Sequence, residues 1–185
     1  MRNEPVRIKG IPELAYALRP VLIREIRYWW GVDTQQTIFF AQVHQESTWR
    51  PDAKSAYASG LAQFTPDTAK WISQLYPKDL GENNPLDTKW ALRALVKYDK
   101  WIFDKTVFAD KNSDRWCFSL SGYNGGYGWV AKDRALAETA GRDSSKWVCN
   151  TEHFSNRSAG AIKENRDYVT KITTKLLTLY QSGGF

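Results

Sequence analysis

The sequence predicts a mostly α-helical protein built as one domain, and three observations carry that expectation. Apolar residues recur at helical spacing in several long segments, and alternation of the strand type is scarce. The 185-residue chain is long enough to bury roughly 70% of its extended surface around one core. Nine Trp, nine Tyr and eight Phe supply the large apolar surfaces such a core requires and set the chain apart from disordered sequences.

Taken in order, residues 12–31 read as a first helix, with Pro20 as a break or kink and Gly31 as its stop. Asp33 or Thr34 is placed to cap the next helical segment, TQQTIFFAQVHQES. Within it Phe39, Val43 and Glu46 stand at i, i+4 and i+7, so a carboxyl group shares the face of an apolar stripe. Such a group either loses hydration, which raises its pKa and keeps a proton available near neutral pH, or simply ends the helix facing water. His44 lies about 200° around the helix from Glu46 and takes no role.

Residues 47–64 form an irregular Ser-, Ala-, Gly- and Pro-rich loop, in which Gly60 marks a sharp bend or a close approach of backbone. Thr65 followed by Pro66 is a strong start for a helix ending near Tyr76. PKDLGENNP is a turn-rich connection, and residues 87–104 are helical, with a core stripe of Trp90, Ala94, Tyr98, Trp101 and Ile102. A short helix from Asp114 to about Ser121 leads into GYNGGYGW, either a plain turn or a loop whose rings and amide suit sugar binding. Its glycine spacing matches no phosphate or dinucleotide loop. Residues 129–138 are another helix, 141–158 a polar excursion, and 159 to about 180 a terminal amphipathic helix on Tyr168, Ile172, Leu176 and Leu179.

Charge and cysteine content narrow the function. Lys and Arg exceed Asp and Glu by six, which favours an anionic partner: nucleic acid, a lipid surface or a wall polymer. The cations are scattered, without a basic run or a nucleic-acid-binding motif, so no nucleic acid is expected. No apolar stretch is long enough for stable membrane insertion, and the first ten residues lack the apolar block of a secretory signal. Cys117 and Cys149 are either a disulfide, worth roughly 3 to 4 kcal/mol of loop closure, or two buried thiols. Cys149 and His153 lack a second close ligand pair, so neither a metal nor a cofactor is expected.

Four segments, in order, resemble the soluble-type lytic transglycosylase family, which shares its fold with goose-type lysozyme. QEST at 45–48 matches the family's Glu-Ser pair, and GLAQFTPDTA at 60–69 matches Gly-Leu-x-Gln-x-x-Pro-x-Thr-Ala. GYNGG at 122–126 resembles Ala-Tyr-Asn-x-Gly, and ENRDYV at 164–169 resembles Glu-Thr-Arg-x-Tyr-Val. The resemblance covers roughly residues 30–180 and implies one lysozyme-like catalytic domain over 1–185 with a glycan-binding cleft and an added N-terminal helical segment of about 1–31. The chain departs from the family at Lys89, Trp90 and Arg93, where an Asn and a Gly are usual, and in the long stretch between the last two motifs.

The resemblance implies peptidoglycan as partner and Glu46 as the acid that protonates the bridging oxygen between N-acetylmuramic acid and N-acetylglucosamine. It further implies that Ser47, Gln63, Tyr123 and Asn124 bind the glycan and that Tyr168 orients Glu46. No second carboxylate falls in a matching motif, with Asp52 only a default, and the resemblance implies a one-acid route to a 1,6-anhydro product. Trp49, Tyr57 and Tyr127 either stack on sugars or pack internally. Small size, basic charge and the missing signal resemble a monomeric bacteriophage or prophage endolysin, made in the host cytoplasm and reaching the wall through a holin. A hydrolytic muramidase of the same fold and a non-catalytic wall-binding or virion module are the alternatives.

Overall fold

The computed structural model describes residues 7–185. The first six residues of the expected N-terminal segment lie outside them. The chain packs as two compact units, Met1–Lys97 with Ile172–Phe185, and Tyr98–Lys171. Among the described residues there is no β-strand, only isolated bridges joining Lys54 to Ser59 and Ser59 to Phe64.

The first unit begins with α1 (Glu13–Trp30), which opens after extended Pro12 and stops at Gly31, as expected. Pro20 does not break it. A mid-helix proline costs about 3 kcal/mol, and burial of Ala15, Tyr16, Leu22 and Ile26 on the same helix outweighs that local cost. The cap expected at Asp33 or Thr34 is absent. The Thr34 hydroxyl donates to the Trp30 carbonyl at 2.9 Å, finishing α1, and α2 (Thr37–Ser47) starts three residues later behind Gln36.

Phe39, Phe40 and Val43 of α2 are fully buried. They pack against a π turn (Ile172–Leu176) and α9 (Leu177–Ser182), into which the expected terminal helix is divided. Tyr180 stands 6.0 Å from the Phe40 ring, and Phe185 meets Tyr16, Phe40 and Tyr180 edge-on at 4.9–5.1 Å.

The loop after α2 is drawn together by backbone. Gly60 N–H donates to Ala53 O at 2.8 Å, and a Cβ on Gly60, whose φ is +79°, would lie 1.7 Å from the Pro85 carbonyl oxygen. Thr65 caps α3 (Pro66–Leu75) by accepting from Thr68 N–H at 3.2 Å, as its sequence requires. The PKDLGENNP connection contains a short helix, α4 (Pro77–Leu80).

Of the residues that depart from the family pattern, Arg93 serves α1. Arg93 of α5 (Thr88–Phe103) makes a forked pair with buried Glu25, Nε and Nη2 each 3.0 Å from a carboxylate oxygen, and donates to Asp79 O at 2.9 Å. One turn on, buried Lys97 pairs with Asp79 at 2.8 Å and sits over the rings of Trp29 and Tyr76, at 3.1 and 4.1 Å from their centroids. Trp90 is core, edge-on to Phe64 at 5.5 Å.

In the second unit α6 (Asn112–Gly125) packs on α7 (Tyr127–Thr139) and on α8 (Ala159–Lys171). The expected GYNGG loop is mostly the last turn of α6, joined to α7 by the single residue Gly126 at φ +90°. The polar excursion carries a 3-10 turn (Thr151–His153) and is held by ionic and polar contacts. Asp114 accepts from Trp147 N–H at 2.8 Å, and Arg166 donates to Glu152 O and Phe154 O. The disulfide weighed for this region does not form: Cys117 is a buried thiol and Cys149 an exposed one.

Candidate active site

In the first unit the apolar stripe of α2 delivers Glu46 to the helix end. Phe39 and Val43 are fully buried and Glu46, next to last in α2, is half-buried, between the two environments its spacing allowed. Ser47 is buried, and its hydroxyl turns back to the Val43 carbonyl at 3.3 Å. The chain then reverses through Thr48 and Trp49, at φ +53° and +60°. Arg50 Nε donates to Ser47 O at 3.0 Å, placing a cation at the negative end of α2.

Trp49 is only 2% exposed, and its indole N–H donates to the Tyr180 hydroxyl, which assigns it to the core and not to a sugar-stacking surface. Tyr57, 81% exposed, is an available ring on this loop. Gln63 holds left-handed backbone, φ +47°, and donates both Nε2 protons, to Ala53 O at 3.1 Å and Gly60 O at 2.9 Å. Its amide oxygen is then the atom left for a ligand. Asp52 is exposed.

In the second unit the last turn of α6 presents Tyr123 and Asn124. Tyr123 is half-buried with its ring 5.1 Å from that of Tyr98, whose hydroxyl is pushed up to about 12 by burial and by the charge of Asp99. Asn124 Oδ1 accepts from the buried Asn165 Nδ2 at 2.9 Å. Tyr168 is 4% exposed, on the inward stripe of α8. Tyr127 donates to Lys105 O at 3.1 Å and meets the Trp101 ring edge-on at 6.0 Å, which engages it within the protein.

Reading motifs by their family letters overlooks the groups that hold these side chains. Fully buried Asp133 binds Arg157 at 2.7 Å and Arg166 at 2.9 Å through one oxygen. Burial presses the Arg166 guanidinium below its ordinary range against the opposing pull of Asp133. Asn165 and Arg166 were in view inside ENRDYV, whereas Asp133 and Arg157 lie in no motif. Among the described residues no group of three or more His, Cys, Asp or Glu side chains is gathered to hold a metal ion.

Comparison with known proteins bears on both units. The membrane-bound lytic murein transglycosylase F of Marinobacter nauticus is 34% identical over 106 residues, 57% of this chain and 20% of the relative. The chain thus spans about a fifth of the length of that curated relative. The 70 kDa soluble lytic transglycosylase of Escherichia coli superposes with a TM-score of 0.62 at 23% identity, over 86% of this chain and 24% of that one. An inactive glutamate-to-glutamine variant of lytic transglycosylase Slt from Pseudomonas aeruginosa superposes with a TM-score of 0.63 at 22% identity, over 90% and 24%. These likenesses show that the mostly helical, lysozyme-like fold expected from the motifs is the fold adopted. The model of the transglycosylase SLT domain matches residues 24–146, about two thirds of the sequence, and the chain belongs to that family.

Proposed function

We propose that the whole chain acts as one catalytic domain that cleaves the β-1,4 bond between N-acetylmuramic acid and N-acetylglucosamine in peptidoglycan, with Glu46 as general acid and base. The carrying observation is Glu46 itself. It is the motif carboxyl of the family-matched segment, set half-buried at the end of a helix whose Phe39 and Val43 are sealed in the core. That a glutamate-to-glutamine change inactivates the Pseudomonas aeruginosa neighbour supports a reaction that depends on one carboxyl group.

In this reading Glu46 gives its proton to the bridging oxygen as the glycosidic bond breaks. The resulting carboxylate takes a proton from the muramoyl C6 hydroxyl, whose oxygen closes on the anomeric carbon. The 1,6-anhydro ring forms and Glu46 is again protonated. The nucleophile belongs to the substrate, so orientation replaces the activation of water. Gln63 offers an acceptor, and Tyr123, Asn124, Ser47 and Tyr168 complete the proposed glycan-binding and positioning set. A surplus of six positive charges suits an anionic wall, and the proposed setting is an endolysin of phage or prophage origin acting as a monomer.

The test is mass spectrometry of the soluble products of purified peptidoglycan digested by the protein and by Glu46→Gln. Anhydromuropeptides from the parent, and their loss by at least a hundredfold in the variant, support the proposal. Products heavier by one water indicate a hydrolytic muramidase, no products indicate a wall-binding module, and a variant as active as the parent removes Glu46 from the chemistry.

A further inference from the structure

The second unit contains a chain of hydrogen bonds whose polarity is fixed from one end. Arg157 Nη2 and Arg166 Nη2 converge on Asp133 Oδ2 at 2.7 and 2.9 Å, and guanidinium groups have no acceptor to offer. The same two arginines also donate to Asn165, Arg166 Nη1 at 2.6 Å and Arg157 Nη2 at 3.2 Å. The atom they meet has to be the amide oxygen. The Ser121 hydroxyl joins them there at 2.8 Å.

With its oxygen committed, Asn165 turns Nδ2 the other way and donates to Ser121 O at 3.0 Å and to Asn124 at 2.9 Å. A donor on that side requires an acceptor opposite, so Asn124 presents its oxygen inward. Its own NH2 group is then directed away from Asn165, on a side chain that is half-buried, not sealed. The fit depends on Gly125: a Cβ there would stand 2.5 Å from Arg157 Nη1 and 3.1 Å from Asn165 Nδ2. Asn165 Nδ2 supplies two donors at once, to Ser121 O and to Asn124 Oδ1, where a hydroxyl in its place would supply one.

We infer that Asn165 is a positioning residue that, through the Asp133, Arg157 and Arg166 ion cluster, locks the Asn124 amide with its NH2 group toward the ligand and so selects a glycan group that accepts a hydrogen bond, such as an acetamido oxygen. The inference rests on the reading of Asn124 as a glycan-binding residue. A sugar bearing a free ammonium in place of the acetamide offers a donor to a donor and is disfavoured.

Side-chain amide hydrogen exchange by NMR tests the orientation without reference to activity. In the parent, the Asn165 NH2 protons are protected and those of Asn124 exchange freely. In Asn165→Asp the introduced carboxylate accepts but cannot donate, so the Asn124 amide turns over and its protons become protected. Isothermal titration with N-acetylglucosamine oligomers and with their deacetylated counterparts tests the selection. The parent prefers the acetylated oligomer by about tenfold or more, one to two neutral hydrogen bonds. Asn165→Asp loses most of that preference, and Asn124→Asp adds little to the loss.

Protected Asn124 protons in the parent, or an undiminished preference in a folded Asn165→Asp, overturn the inference. Should Asn165→Asp fail to fold, the parent's exchange pattern still decides the orientation. A parent that binds no glycan overturns the selection and the proposed function together, while the exchange data report separately on the lock.

Discussion

The Trp49 indole N–H donates to the Tyr180 hydroxyl at 2.6 Å, fastening the reversal beyond α2 to the side of α9. The hydroxyl also lies 2.9 Å from His44 Nδ1. An indole can only donate, so the Tyr180 oxygen accepts from Trp49, and its contact with His44 runs in the direction that the imidazole tautomer sets. Glu46 and Ser47 lie between these two anchors, and the left-handed Thr48 and Trp49 cost of order 1 kcal/mol each.

Tyr180→Phe removes the shared hydroxyl and leaves the buried indole N–H without its partner. The variant should lose about 1–3 kcal/mol of stability, read from urea unfolding. Its rate on peptidoglycan should fall at a temperature where it is still folded, because the turn that follows Glu46 is loosened.

Glu25 makes the stability of the first unit depend on acid. Burial pushes its carboxyl up, but hydrogen bonds and charge from Arg93, with Arg24 adding to them, outweigh burial and hold it below the ordinary carboxylate range. A depressed folded value contributes stability above the unfolded value, about 4.3, and the contribution is lost as pH falls through the folded one. Glu25→Gln should be less stable than the parent at pH 7 by about 1 kcal/mol, since Arg93 is partly exposed and screened. The gap should close as the pH is lowered below about 4. Thermal melts of both proteins across that range give the comparison.

Two glycines separate steric demand from helix propensity. Gly60→Ala places a methyl group on the Pro85 carbonyl at a left-handed residue and should cost more than 3 kcal/mol or abolish soluble expression, beyond about 1 kcal/mol for the backbone alone. Gly128→Ala, exposed within α7 with nothing near its Cβ, should gain about 0.5–1 kcal/mol. Melting temperatures of the pair measure the contrast.

The two thiols differ in reactivity. Burial, with the nearby charges of Asp114 and Glu152, pushes Cys117 up to about 12, so it carries almost no thiolate at neutral pH. One equivalent of a maleimide should label Cys149 in the native protein, and Cys117 should follow only on unfolding. Intact mass after labelling counts both.

Much of this was legible where one residue decides a local outcome. Thr65 with Pro66 set the start of α3 through a hydroxyl cap and a fixed φ, and Gly31 the end of α1 and Gly60 the close approach through backbone at positive φ. Readings failed where a competing contact, near or far in sequence, decided the outcome. Thr34 was claimed by the Trp30 carbonyl and Pro20 was overruled by packing on the same helix, while Trp49, open between stacking and packing, was decided by Tyr180. GYNGG reads as a loop from its glycines, but Gly122 and Gly125 are small to admit neighbours, and only Gly126 bends the chain. The proposed site residues were legible as motif letters. Asp133 and Arg157, which orient Asn124 through Asn165, were not, since a buried ion cluster leaves no periodic trace.

The contact of Gly60 with the Pro85 carbonyl also limits how relatives of this protein can vary. Two stretches of backbone that touch without a side chain between them have to keep their lengths together, so an insertion at either point would force a compensating change in the other. The tip around Tyr57, which stands clear of that seam, is where added residues could reshape recognition while the fold is inherited unchanged.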